Sequence, residues 1–273
     1  MIGSVREVLG IADVPPKCCV FRVAYPALDE TLRNTHYAIP HAVGGPFGDP
    51  AVNDRTVNSL TPPMMELPYP RLALIADGLT EEARADRAVE AVEAGVRWVH
   101  LRDHDARPDA FVGAARTIVP RLRTAAEDVT ITVNSSVDVA DELGLGVHVG
   151  WRGPTVPEAR DLLGEDVLIG YSAHEYVEAE GDRTQGVDYY FFSPVFPTFS
   201  KPDQPPTGIG PLRAFCQTAA PIPVLALGGI TPKRVSVCQQ AGARGVAVLS
   251  GIMDVDTPRA AARAYLRALA ERA

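Results

Sequence analysis

No uninterrupted apolar stretch in the 273 residues approaches the roughly 18 that a membrane-crossing helix requires, so nothing in the sequence reads as a span. Positive charge is also in short supply: 26 Lys and Arg stand against 34 Asp and Glu, a formal net charge of −8. That balance argues against a nucleic acid or an anionic membrane as partner. An anionic ligand must then be held by local donors and a few placed cations. Cysteine is scarce. The four present, Cys18, Cys19, Cys216 and Cys238, have no metal-ligand spacing and read as reduced thiols, the last two packed on helices. Met1 to Ala24 mixes charge, proline and apolar residues without a signal-peptide core, which makes the cytoplasm the expected location.

What is present is a repeated alternation. From Arg71 onward, short apolar runs alternate with amphipathic ones, and each kind occurs eight times. The strands are expected near Leu72–Ala76, Trp98–Leu101, Thr130–Val133, Val147–Val149, Val167–Tyr171, Tyr189–Ser193, Val224–Leu227 and Val246–Leu249. Helices are expected from Thr80 to Ala94 and over Pro108–Ala126, Val137–Leu143, Val156–Leu163, Tyr176–Asp182, Pro211–Ala219, Pro232–Ala241 and Pro258–Ala270. Eight such units predict a (β/α)8 TIM barrel over 71–273. Residues 1–70 differ. They are proline-rich, carry breaker clusters such as GGPFGDP at Gly44 to Pro50, and predict an N-terminal extension, irregular or partly disordered, with no catalytic role. His36 and His41 in this extension read as surface residues, and whether translation starts at Met64 or Met65, either of which would leave the barrel whole, is left open by the sequence.

In a barrel of this kind chemistry sits at the C-terminal ends of the strands, and the loops after strands seven and eight form the usual phosphate site. Gly228-Gly229 allows a backbone to approach a phosphate closely, and Ser250-Gly251 adds a hydroxyl and free amides. After strand two, period-two alternation puts His100 and Arg102 on one face. Arg102 either grips phosphate oxygens bidentately or pairs with Asp103 or Asp77. His104 is a diphosphate donor or acid, or else a solvated loop residue. Asn134 follows strand three, where it can orient a heterocycle or a neighbouring side chain. His148 in strand four is either a packed core histidine or a ligand-binding one. Ser172 and His174 follow strand five; Ser172 can cap a helix and contact phosphate at once. Thr198, Ser200 and Lys201, after an otherwise apolar strand six, are the densest group of anion donors in the chain.

Together, Pro194 to Lys201 (PVFPTFSK), Gly228-Gly229-Ile230, Val246 to Ser250, Ile169 to His174 and Val137 to Ala140 resemble the thiamine-phosphate synthase and thiazole tautomerase superfamily. The resemblance spans 71–273 and implies an enzyme of thiamine biosynthesis. Such a synthase joins a hydroxymethylpyrimidine diphosphate to a thiazole phosphate and expels pyrophosphate through a carbocation-like step. The tautomerase isomerises the thiazole phosphate. Carried over by residue, the pyrophosphate-holding positions fall on Arg102, Ser172, Thr198, Ser200 and Lys201, and the thiazole-phosphate positions on Gly228, Gly229 and Ser250. The expected catalytic set is therefore Arg102, His104, Ser172 and Lys201. The expected substrate-binding set is Asn134, His148, Thr198, Ser200, Gly228, Gly229, Ser250 and Gly251.

The sequence departs from that pattern at several places. Ser135 and Gly153 stand where the synthase has Mg²⁺-binding aspartates, His104 replaces a lysine and His100 a glutamine. No residue is then expected to ligate a metal, and Mg²⁺ enters only through the substrate diphosphate. The tautomerase's proton-shuttling histidine falls on Pro194, leaving His100, His148 or His174 as substitutes. The expected partners are small phosphorylated heterocycles, with assembly into a homo-oligomer left open. Three readings follow: synthase first, tautomerase as the alternative, and a non-catalytic binder of a phosphorylated heterocycle as the third.

Overall fold

The computed structural model describes residues 71–198 and 204–271, and the expectations for 1–70, including those for His36, His41, Met64 and Met65, lie outside them. Eight parallel strands pair in sequence order and β8 returns to β1, closing a barrel. They are β1 (Leu72–Asp77), β2 (Trp98–Arg102), β3 (Thr130–Asn134), β4 (Gly146–Val149), β5 (Ile169–Ala173), β6 (Tyr189–Phe192), β7 (Val224–Leu227) and β8 (Gly245–Val248). Between and after them run α1 (Glu82–Glu93), α2 (Pro108–Ala125), α3 (Val137–Leu143), α4 (Val156–Leu163), α5 (Ile209–Thr218), α6 (Val235–Gln240), α7 (Ser250–Met253) and α8 (Pro258–Ala270). Among the described residues, no helix is long and apolar enough to cross a membrane.

Strand alternation sorts the core into two populations. Outward residues such as Val99, Leu101, Val133 and Val147 join the apolar faces of the helices in a continuous shell. Inward residues fill the barrel, with Ala73, Ile75, Trp98, Tyr189, Phe191, Leu225 and Ala247 in mutual contact. The interior is a packed core rather than a channel. Gly170 shows how tight it is: a Cβ there would lie 2.1 Å from the Tyr189 ring and 2.5 Å from His148 Nδ1. Only a residue without a side chain leaves room for both rings.

Local structure departs from the expected elements in four places. The fifth predicted helix is two 3₁₀ turns, Tyr176–Glu180 and Asp182–Thr184, interrupted at Gly181, whose backbone is extended. Pro232–Arg234 forms a 3₁₀ turn before α6, because a proline-led turn fits there ahead of the regular ladder. Helix α7, a single turn opened by Ser250, was not expected beyond the turn itself. Finally, β5 runs on to Ala173, so Ser172 is a strand residue and caps no helix. Cys216 on α5 and Cys238 on α6 are free thiols; burial pushes the first up to about 12 and the second to about 11, which leaves both inert.

Candidate active site

The strand ends open into one cavity of about 840 Å³. Of the residues expected there, Arg102, His104, Asn134, Ser172, Thr198, Gly228, Gly229, Ser250 and Gly251 all line it. Ser200 and Lys201 lie outside the described residues. His148 does not line the cavity. It is buried inside the barrel one layer beneath, where Nε2 sits 2.8 Å from Ser172 Oγ and Nδ1 3.0 Å from the Tyr189 hydroxyl. Burial holds its pKa down at about 3, so the ring is neutral. When the Tyr189 hydroxyl donates to Nδ1, the single ring proton on Nε2 donates to Ser172. The hydroxyl hydrogen of Ser172 is then free to turn to the cavity. His100 is likewise buried, with Nδ1 3.1 Å from Thr132 Oγ1. Its pKa falls well below the usual histidine value, through burial first and then through His148, Arg102 and His104.

Arg102 does both things its sequence context allows. Its Nη2 lies 2.9 Å from Asp77 Oδ2, each side chain about one-fifth exposed, while the residue still lines the cavity and its buried Nε has no hydrogen-bond partner among the described residues. Asp103 is occupied elsewhere, accepting from the Asp105 and Ala106 amides. The loops after β6 and β7 are tied together: the Val195 amide donates to the Leu227 carbonyl at 2.9 Å and that of Phe196 to Gly228 at 3.1 Å. That closeness dictates the glycines. Gly229 has φ +61°, and a Cβ on it would meet the Pro197 carbonyl at 2.3 Å. Arg234 braces the same turn, donating to the Gly229 carbonyl at 2.6 Å and lying 4.5 Å from the Phe196 ring centre.

Several lining residues were not singled out from the sequence. Trp151 and Arg152 follow β4, and Glu175 and Glu178 follow β5. The aromatic-basic pair directly after a strand end was the available signal for the first two. Glu178 accepts from the His174 amide at 2.5 Å and the Glu175 amide at 2.8 Å, so it shapes its own loop.

The residues at hand do not suit a divalent metal. Ser135 and Gly153 are neighbours across the mouth, a Cβ on Gly153 lying 3.6 Å from Ser135 Oγ, yet neither carries a carboxylate. Among the described residues no group of three or more His, Cys, Asp or Glu side chains could hold a metal ion.

Packed barrel, cavity at the C-terminal strand ends, and glycine turns after β7 and β8 place this chain in the class of (β/α)8 enzymes-type scaffolds whose mouth carries the site. A family model described as thiamine monophosphate synthase matches residues 72–252. The chain is 35% identical over 204 residues to a thiamine-phosphate synthase of Syntrophomonas wolfei, covering 74% of this chain and 93% of that one. It is 37% identical over 203 residues to one from Chloroflexus aurantiacus, covering 73% and 92%. A solved thiamine phosphate pyrophosphorylase from Pyrococcus furiosus superposes with a TM-score of 0.64 at 27% identity, over 74% of this chain and 96% of that one. The chain belongs to the thiamine-phosphate synthase family.

Proposed function

We propose that the protein is a transferase that joins a hydroxymethylpyrimidine diphosphate to a thiazole phosphate and releases pyrophosphate. In that reaction the C–O bond to the diphosphate breaks and its electron pair leaves with the diphosphate. The thiazole nitrogen then bonds to the methylene carbon. The observation that supports this reading is the convergence, in one cavity, of two sets of anion donors: Arg102, Ser172 and Thr198 from β2, β5 and the loop after β6, and Gly228, Gly229, Ser250 and Gly251 after β7 and β8. The first set would hold the leaving diphosphate with Lys201, and the second the phosphate of the thiazole. Asn134 at the end of β3 would orient the pyrimidine, and His148 acts through Ser172 rather than on the ligand. Any Mg²⁺ would travel with the substrate diphosphate. Incubation of the purified protein with both phosphorylated halves should yield thiamine phosphate and pyrophosphate in equal amounts; failure to form either, with an active relative run alongside, rejects the proposal.

A second reading, isomerisation of a thiazole phosphate, draws on His174. This residue lines the cavity, and its Nδ1 lies 2.6 Å from the Ser193 carbonyl, next to Pro194. A carbonyl only accepts, so Nδ1 carries the hydrogen and a neutral ring keeps its Nε2 lone pair for a ligand proton. Deuterium exchange into the thiazole phosphate, lost in His174→Gln, is the expected signature. An isomer ratio unchanged by the wild-type protein counts against it.

A further inference from the structure

The loop after β4 runs Gly150-Trp151-Arg152-Gly153, and all four residues line the cavity. It is held by Arg183, whose Nη2 donates to the Gly153 carbonyl at 2.8 Å, the Trp151 carbonyl at 3.2 Å and the Gly150 carbonyl at 3.5 Å. The Gly153 amide closes back on the Gly150 carbonyl at 3.0 Å. Three carbonyl oxygens of this loop therefore face a guanidinium. A hard divalent cation needs oxygen ligands and is repelled by a fixed positive charge beside them. Across the mouth stands Ser135, neutral, in the left-handed region at φ 55°, its amide donating to the His148 carbonyl at 2.8 Å.

The same loop that lacks a carboxylate presents a cation. Arg152 is exposed, lines the cavity, and forms no ion pair among the described residues. Arg102, by contrast, shares its charge with Asp77. A departing diphosphate carries several negative charges, and a guanidinium can meet two of its oxygens at once. Trp151, 72% exposed beside Arg152, adds a planar face to the rim.

We propose that the mouth binds the diphosphate of its substrate without a protein-held metal, with Arg152 on the Arg183-clamped loop supplying the positive charge. The inference rests on the synthase reading above. Its test is calorimetric titration of the full-length chain with inorganic pyrophosphate, once in EDTA and once in Mg²⁺. The affinity in EDTA should be tighter than in Mg²⁺ or within about threefold of it, and Arg152→Gln should weaken it by about tenfold, the usual scale of a charge-assisted hydrogen bond. Strengthening by Mg²⁺ beyond about threefold, or a loss smaller than about threefold in Arg152→Gln, overturns this proposal while leaving the synthase reading in place. Absence of pyrophosphate binding under both conditions removes the anion site itself, and the synthase reading with it.

Discussion

At the scale of single residues the site works by fixing a few polar groups against an apolar barrel. Ser172 is the link between them: its hydroxyl is anchored by neutral His148 and reaches the cavity. In Ser172→Ala we expect kcat/KM for thiamine phosphate formation to fall by about 10- to 100-fold, the range of a hydrogen bond to a charged group. Chemical denaturation should show about 1 kcal/mol of lost stability, because His148 Nε2 is left unpaired in the core. The Ser135 and Gly153 pair offers a converse experiment. A Cβ at Gly153 makes only ordinary contacts, and aspartate tolerates the left-handed backbone of Ser135. Ser135→Asp/Gly153→Asp should therefore fold and turn pyrophosphate binding Mg²⁺-dependent, by about tenfold in calorimetry.

Elements matter because the mouth is assembled from loops that must touch. The turn after β7 packs its glycines onto Pro194 to Pro197 of the loop after β6, at distances that admit no Cβ. Gly229→Ala should displace that turn and weaken thiazole-phosphate binding by about tenfold or more, with the circular dichroism of the barrel retained. Gly113 is the contrasting case: it is exposed in the middle of α2, and a Cβ there meets nothing within 4 Å. Gly113→Ala should stabilise the protein by about 0.5–1 kcal/mol, read from the urea midpoint, with no effect on binding. The sequence singled out Gly229 for close approach to a phosphate and gave no reading of Gly113, but neither position's spatial neighbours are written in it. Which one is indispensable is set by the neighbour that a side chain would strike.

For the whole molecule, closing the barrel buries two imidazoles. His148 has its pKa lowered to about 3 and that of His100 is lowered as well, whereas the unfolded chain titrates near the ordinary histidine value of 6.5. Below that value the unfolded state binds more protons than the folded one, so stability is full above about pH 6.5 and is lost as pH falls toward the folded pKa. The slope is about 1.4 kcal/mol per pH unit for each histidine. Between pH 6.5 and pH 5 the urea midpoint should accordingly report about 2 kcal/mol lost through His148, with His100 adding a loss of the same sign, and His148→Leu should flatten that dependence. A midpoint independent of pH over this range contradicts the buried, neutral pair.

Strand period, helix starts at proline and the punctuating glycines are local properties, and they alone determined the eight-unit barrel and the strand that carries each rim residue, while the family was legible in the resemblance of the rim motifs from Pro194 to Lys201 and after β7 and β8. All eight strands were legible to within two residues at each end, because alternation and length are written in neighbouring positions. What lay beyond the sequence depends on contacts between residues far apart in the chain. Only the closed barrel decided that His148 lies beneath Ser172 rather than in the cavity, that Asp77 and not Asp103 partners Arg102, and that Arg183 holds the loop carrying Arg152. Spacing along one strand tells which face a side chain takes. How deep it sits, and which other side chain it meets, follows from the packing of strands and loops whose separation in sequence carries no signal.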